Sequence, residues 1–202
     1  MNSLAKAAAL VMLGMIGGCA NLLGQGHSGA VPPVAATAPL IEVGGGYSYV
    51  SLEMPGESRV GLNGGDGSIV ANIGERWGAM FDASYARMGN VLSTGHGGSV
   101  LTFMGGPVFY PVNHGNLRVF FHGLVGLGRV DSAVVTGPET VLAGEVSRIA
   151  YAVGGGVEYD LSRRFALRVG PDYLHTTFAD VSGKDQGQNN LRMVVSLAFK
   201  FN

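Results

Sequence analysis

The residues of this 202-residue chain that could do chemistry are sparse: five histidines, one cysteine, and 14 acidic against 13 basic side chains. A nucleophilic site needs a hydroxyl or thiol, a base within hydrogen-bond reach and a third group that orients the base. His122 with Asp82 and a hydroxyl such as Ser68 or Ser84 supplies suitable types. His96 and His175 stand elsewhere, and neither forms a His-x-Ser arrangement with a partnered acid. The histidines are too scattered for metal-ligand spacing, and Cys19 stands alone near the N-terminus. Gly154-Gly155-Gly156 lacks the following helix that a phosphate loop needs, so close backbone packing accounts for it better. No catalytic residue, metal or cofactor is expected, and a net charge of −1 gives no broad attraction to nucleic acid.

The spacing of the charges says more than their types. Glu42, Asp66, Asp82, Arg118, His122, Glu158, Arg168, Asp172, Arg192 and Lys200 all carry even numbers. The aromatics Tyr47, Tyr49, Trp77, Phe81, Tyr85, Phe103, Phe109, Phe121, Tyr151, Tyr159, Phe165, Tyr173, Phe199 and Phe201 are all odd. Within the same stretches Phe120, Arg129 and His175 depart from this segregation, the last two at segment ends. Alternation with period two is the signature of β-strands, whose successive side chains point to opposite faces.

Eight strand-like segments can be placed near 41–50, 62–73, 77–86, 100–109, 118–129, 150–159, 165–176 and 190–201. Each is about ten residues long, the span of a tilted transmembrane strand. Connections at Gly74–Arg76, Pro111–Leu117 and Asp160–Arg164 are short. Those at Ser51–Gly61, Arg87–Ser99, Val130–Ser147 and Thr177–Gln188 are longer and richer in Gly, Ser, Asp and Pro. Short turns on one side and long loops on the other suit an outer-membrane barrel, and an even strand count puts both termini on the periplasmic, short-turn side.

Energetics chooses which face is which. An Arg or Lys facing lipid near the midplane costs about 2–4 kcal/mol, and a one-residue slip would expose every charge on its strand. Even positions therefore face the interior and odd positions face lipid. The aromatics then form two girdles: Trp77, Phe109, Tyr159, Phe165, Phe199 and Phe201 at the short-turn ends, and Tyr47, Tyr49, Tyr85, Tyr151 and Tyr173 toward the long loops. A soluble β-sandwich or lipocalin-like barrel would instead show a polar exterior, with more charge than the 13% present here.

The N-terminus reads as an export signal over 1–20, with Lys6 ahead of the ten apolar or small residues Ala7–Ile16. Two processing readings stay open. Gly18-Cys19-Ala20 fits an ordinary signal peptidase, while Ile16-Gly17-Gly18-Cys19 resembles a lipobox that would leave Cys19 lipidated. A single cysteine allows no intrachain disulfide. Residues 21–40 read as a flexible periplasmic linker and 41–202 as the barrel.

The segment Leu62–Tyr85 resembles the second and third strands of the OmpA-like family of small outer-membrane β-barrels, through Asn63-Gly64, Arg76-Trp77 and Asp82. Gly106-Pro107, His122, Gly154-Gly155-Gly156, Arg164–Arg168 and Asp172-Tyr173 are similar to it too. Leu197-x-Phe199-x-Phe201 resembles the signal by which the barrel-assembly machinery recognises clients, departing from it by ending in Asn202. The resemblance implies an all-β, eight-stranded antiparallel up-and-down transmembrane barrel in the bacterial outer membrane; with only Asn202 after the last segment, the peptidoglycan-binding domain that larger OmpA proteins carry is not expected. Its expected partners are outer-membrane lipid and lipopolysaccharide, and it is expected to be a monomer.

An interior of eight strands is just wide enough to be filled by side chains. Glu42, Asp66, Asp82, His122, Glu158, Arg168, Asp172 and Lys200 are expected to form a charge network there, with Arg168 as hub reaching Asp82, Glu158 or Asp172. The alternative is a narrow passive pore, since inward glycines leave space that water could fill. A lipid-modifying enzyme is the remaining alternative, with His122 too low in the barrel for a lipid to reach. The membrane reading makes a direct prediction. The protein should fractionate with outer membranes and migrate differently on gels when unboiled, whereas a detergent-independent soluble monomer would refute a barrel.

Overall fold

The computed structural model describes residues 39–53, 59–89, 97–136, 140–179 and 185–201. The signal segment, Cys19, all of the linker except Pro39 and Leu40, and the terminal Asn202 lie outside the described residues. Eight strands follow in order: β1 Ile41–Glu53, β2 Arg59–Asn72, β3 Trp77–Met88, β4 Gly98–His114, β5 Leu117–Thr136, β6 Thr140–Asp160, β7 Phe165–Ala179 and β8 Asp185–Phe201. Each pairs antiparallel with its sequence neighbours, and β8 returns to β1 from Ile41 with Phe201 to Ser51 with Leu191, closing the barrel.

The alternation of the sequence becomes the two faces of this wall. Among the described side chains of the strands, every buried one is at an even position; Gly155, which has none, is buried at an odd one. The outside is apolar: Trp77, Phe81, Phe103, Val125, Leu127, Ile149, Val153 and Leu197 are each between 47% and 69% exposed. Such a surface in water would lose about 25 cal/mol for every Å² it exposes, so it is a surface made for hydrocarbon.

The short turns are built from local chemistry. Gly74, with φ of +115°, and Gly115, with φ of +59°, take the backbone where a side chain is disfavoured. In the third turn, the Ser162 hydroxyl accepts from the backbone N–H of Arg164 and of Phe165. The turns and the two barrel ends, Ile41 and Phe201, share one rim.

Two expected connections are corrected. The stretch Pro111–Leu117 is not a turn: β4 runs on to His114, and the hairpin is the pair Gly115-Asn116. Proline is tolerated because the register shifts between Phe109 opposite Phe121 and Val112 opposite Val119. The bulge sets Tyr110 and Pro111 together against one partner residue, which is where a residue without an N–H fits a ladder. Likewise Val130–Ser147 is not a long loop. Its β-branched residues continue the β5–β6 ladder as far as Thr136 opposite Thr140. The strands also reach further into Ser51–Gly61, Arg87–Ser99 and Thr177–Gln188 than expected.

Two inward glycines sit where the adjacent strand of the wall comes close. A Cβ built on Gly126 would lie 2.0 Å from the Phe103 carbonyl oxygen, and one on Gly64 would lie 1.8 Å from that of Tyr85. Neighbouring backbone presses on these positions, whereas the lipid-facing Gly123 has nothing within 4 Å. Gly126→Ala should destabilise the refolded barrel by about 1–3 kcal/mol as an overpacking change. Gly123→Ala, three residues earlier on the same strand, should stay within about 0.5 kcal/mol. Urea unfolding followed by the fluorescence of Trp77, the single tryptophan, separates the two.

Candidate functional site

The interior holds its charges in two groups. Nearer the turn rim, two guanidiniums bridge two carboxylates: Arg168 Nη2 lies 2.9 Å from Glu42 Oε2 and 2.7 Å from Glu158 Oε2, and Arg118 Nη2 lies 2.6 Å from Glu42 Oε1 and also contacts Glu158. Lys200 Nζ lies 3.0 Å from Glu158 and contacts Asp160. Asn72 donates to Glu42 at 2.8 Å. Three cations thus face three carboxylates, and all but Asp160 are nearly fully buried. Arg118 also lies 4.7 Å over the Tyr110 ring, and Arg168 lies 5.2 Å over Phe120.

The second group sits at mid-height around Arg192. Its Nη1 lies 2.6 Å from Asp82 and 3.1 Å from the Ser84 hydroxyl, its Nη2 lies 2.6 Å from Asp172, and Asp66 is 3.8 Å away. His122 Nε2 lies 2.9 Å from Asp172 Oδ1, and its ring stacks on Phe120 at 5.9 Å. A cavity of about 20 Å³, enough for about one water molecule, is lined by Asp66, Asp82, His122, Asp172 and Arg192 with Ser68 and Ser196.

Toward the opposite rim the filling changes character. Ser84 and Thr102 share a hydrogen bond of 2.8 Å, and Asn190 donates to Thr176 at 2.9 Å. Gln188 and Asn190 fasten the Glu53 backbone, through its carbonyl at 2.8 Å and its N–H at 2.9 Å. Val50, Leu52, Val60, Leu62, Val100, Val130 and Leu174 occupy the space between, each no more than 5% exposed.

The structure brings Glu42, Glu158, Arg168 and Lys200 together in one group and Asp66, Asp82, His122 and Asp172 in the other. Arg168 is not the common hub. It pairs across the β6–β7 ladder with Glu158, whereas Asp172, four residues up β7, pairs with Arg192 on β8. Strand register, not charge type, decides which cation reaches Asp82 and Asp172, and that cation is Arg192. Arg118 and Arg192 carry the even parity that signals an inward charge. Tyr110 was hidden by reading Pro111 as the start of a turn, and Asp160 by reading it as part of one.

The expected girdle residues all lie on the outer wall. Tyr49, Trp77, Tyr85, Tyr151, Tyr159, Phe165, Tyr173 and Phe201 are exposed, and Phe109 and Phe199 are partly covered. Trp77 packs on Phe109 at 4.6 Å, and Phe199 on Phe165 and Phe201 at 5.1 and 4.7 Å. At the other rim Tyr151 stacks on His175 at 4.7 Å, and Tyr173 and His175 both reach the Asn189 side-chain oxygen. Among the described residues no group of three His, Cys, Asp or Glu is arranged to hold a metal ion.

No family model and no curated protein matches the chain. Solved structures do. The crystal structure of Neisserial surface protein A is 12% identical, with 80% of this chain and 97% of that one covered at a TM-score of 0.63. Ail, the attachment invasion locus protein of Yersinia pestis, is 16% identical over 81% and 99% of the two chains, with a TM-score of 0.59. The outer membrane protein OprG from Pseudomonas aeruginosa is 11% identical over 82% and 97%, with a TM-score of 0.51. At these identities the likeness is one of fold, and the fold is that of the small outer-membrane β-barrels, as the OmpA-like resemblance implies.

Removing one partner from a buried ion pair strands the other. Arg192→Ala should cost about 3–5 kcal/mol, because Asp82 and Asp172 lose their shared cation at once. Asp160→Asn removes a carboxylate whose side chain is 27% exposed and should cost about 1 kcal/mol or less. Equal costs in urea unfolding would contradict the burial contrast.

Proposed function

We propose that this chain is an integral outer-membrane barrel with a structural or surface-interaction role, its interior kept shut by the two ion-pair groups. The carrying observation is the filled lumen. Glu42, Glu158, Arg118, Arg168 and Lys200 meet across it near one rim, and an apolar layer from Val50 to Leu174 closes the other. The cavity described between them, about 20 Å³, has room for about one water molecule and none for a lipid. No turnover is proposed for His122 and Asp172, because they face that space.

The outward aromatics and aliphatics would meet outer-membrane lipid and lipopolysaccharide, with the short turns and both termini on the periplasmic side. The C-terminal Phe199 and Phe201 would present the chain to the barrel-assembly machinery, and the finished barrel would stand as a monomer. Ail is an attachment invasion locus protein and has been crystallised with the heparin analogue sucrose octasulfate. A contact role on this same fold supports reading the present chain as a rigid carrier of surface contacts.

A narrow passive pore is the competing reading, and planar-bilayer recording of the refolded protein separates the two. The plugged barrel should give no reproducible single-channel steps. Steps in the wild type that change amplitude in Arg168→Ala would overturn the proposal.

A further inference from the structure

The two aromatic girdles differ in chemistry. At the short-turn rim five of the six residues, Trp77, Phe109, Phe165, Phe199 and Phe201, lack a hydroxyl, whereas all five toward the long loops are tyrosine. On β6 and β7 those tyrosines also have polar company. Tyr151 stands opposite His175, and His175 opposite Asn189, so β6, β7 and β8 each give one residue to a row at a single height. All three carry outward parity, and Tyr173 lies two residues below His175 on the same face. β1 and β2 extend the row. Glu53 Oε2 accepts from the Asn189 backbone N–H at 2.9 Å, and Arg59, which faces Glu53 across the ladder, donates to the Asn189 carbonyl at 3.3 Å.

These side chains are held in place and keep bonding capacity to spare. Asn189 Oδ1 accepts from the Tyr173 hydroxyl and lies 3.1 Å from His175 Nδ1, which fixes the amide and the ring together. The amide nitrogen of Asn189 then has no partner among the described residues. Gly187 keeps the edge of the His175 ring uncovered, since a Cβ there would lie 3.1 Å from Nε2. Tyr151 and Tyr173 are 41% and 44% exposed, with ring centroids 6.4 Å apart.

Exposed aromatic faces bordered by amide, imidazole and hydroxyl groups match a ring with an apolar C–H face and a hydroxyl edge, which is a pyranose. A phosphate fits worse. Arg59, the one guanidinium of the row, faces its one carboxylate, so no excess of positive charge is offered. A soluble glycan also fits worse. The row looks sideways from the wall, just above the exposed Val153 and Val195, where the headgroups of membrane lipids lie.

We propose that Tyr151, Tyr173, His175 and Asn189 form a contact site for an uncharged sugar ring in the headgroup of a membrane glycolipid. The proposal rests on the outer-membrane reading with the long loops outward, and its failure would leave the conductance result untouched. The test is side-chain and backbone NMR of the full refolded protein in phosphatidylcholine nanodiscs. The probe is glucosyl diacylglycerol, a lipid with a sugar and no phosphate. Phosphatidic acid with the same chains and free glucose are the comparators.

Rising fractions of the glucosyl lipid should shift the Asn189 side-chain amide and the His175 ring signals saturably, and leave the Trp77 indole at the opposite rim in place. Neither comparator should do so. Asn189→Ala removes the amide, and Gly187→Val covers the ring edge without touching an aromatic. Each should weaken the response at the Tyr173 and His175 backbone amides about fivefold or more, the worth of roughly one hydrogen bond, while keeping heat-modifiable mobility. No shift with the glucosyl lipid, an equal shift with phosphatidic acid or free glucose, an equal shift at Trp77, or an unchanged response in both variants would each overturn the proposal.

Discussion

Two carboxylates on well-separated strands, Glu42 on β1 and Glu158 on β6, share the guanidiniums of Arg118 on β5 and Arg168 on β7, and much of the barrel is arranged around that sharing. None of these groups could face hydrocarbon without a cost of several kcal/mol, so their presence fixes the face of each strand. None could be buried alone either, so each needs the others at hydrogen-bonding distance. Contacts between Glu42 and Arg118, 76 positions apart in sequence, cross the lumen and not the ladder. Lys200 on β8 joins the same group through Glu158 and brings the last strand to it. A group spread over β1, β5, β6, β7 and β8 can be satisfied only when the barrel is closed.

The glycines and the ion pairs solve one geometric problem together. Eight strands enclose a lumen so narrow that a long Arg on every inward position would not fit. Inward glycines such as Gly64 and Gly126 let a neighbouring backbone approach where no charged group is placed, and the long side chains fill the remainder. The stacked arrangement of Arg118 over Tyr110 and Arg168 over Phe120 uses the aromatic faces as further filling. Small inward residues thus serve the close approach of neighbouring strands in the wall.

Parity was legible from sequence because hydrocarbon imposes it. Ten charged or histidine residues at even numbers and fourteen aromatics at odd ones leave one consistent orientation for each strand. What escaped was whatever parity does not encode. The bulge at Tyr110 and Pro111 changes the register within one strand, and proline's missing N–H reads as a turn until a two-against-one pairing is seen. The division of charges into two groups depends on strand register: Arg168 and Arg192 have the same parity and the same chemistry, yet only Arg192 stands beside Asp172. Local pattern tells which face a residue takes, while its height along the barrel depends on turn lengths summed around the whole wall.

The same distinction accounts for the ends of the strands. About ten residues suffice to cross a bilayer, yet β6 is 21 residues long and β5 is 20. The surplus lies beyond Tyr151 and Tyr173, where β5 and β6 stay paired as far as Thr136 opposite Thr140. Gly, Ser and Asp in that surplus look like loop, but β-branched neighbours such as Val134 and Val135 keep the ladder going. Below the girdle every strand must be matched on both sides, because an unsatisfied backbone group in hydrocarbon costs several kcal/mol. On β6 the two ladders differ in length: pairing with β5 runs to Thr140, and pairing with β7 runs to Tyr151 opposite His175.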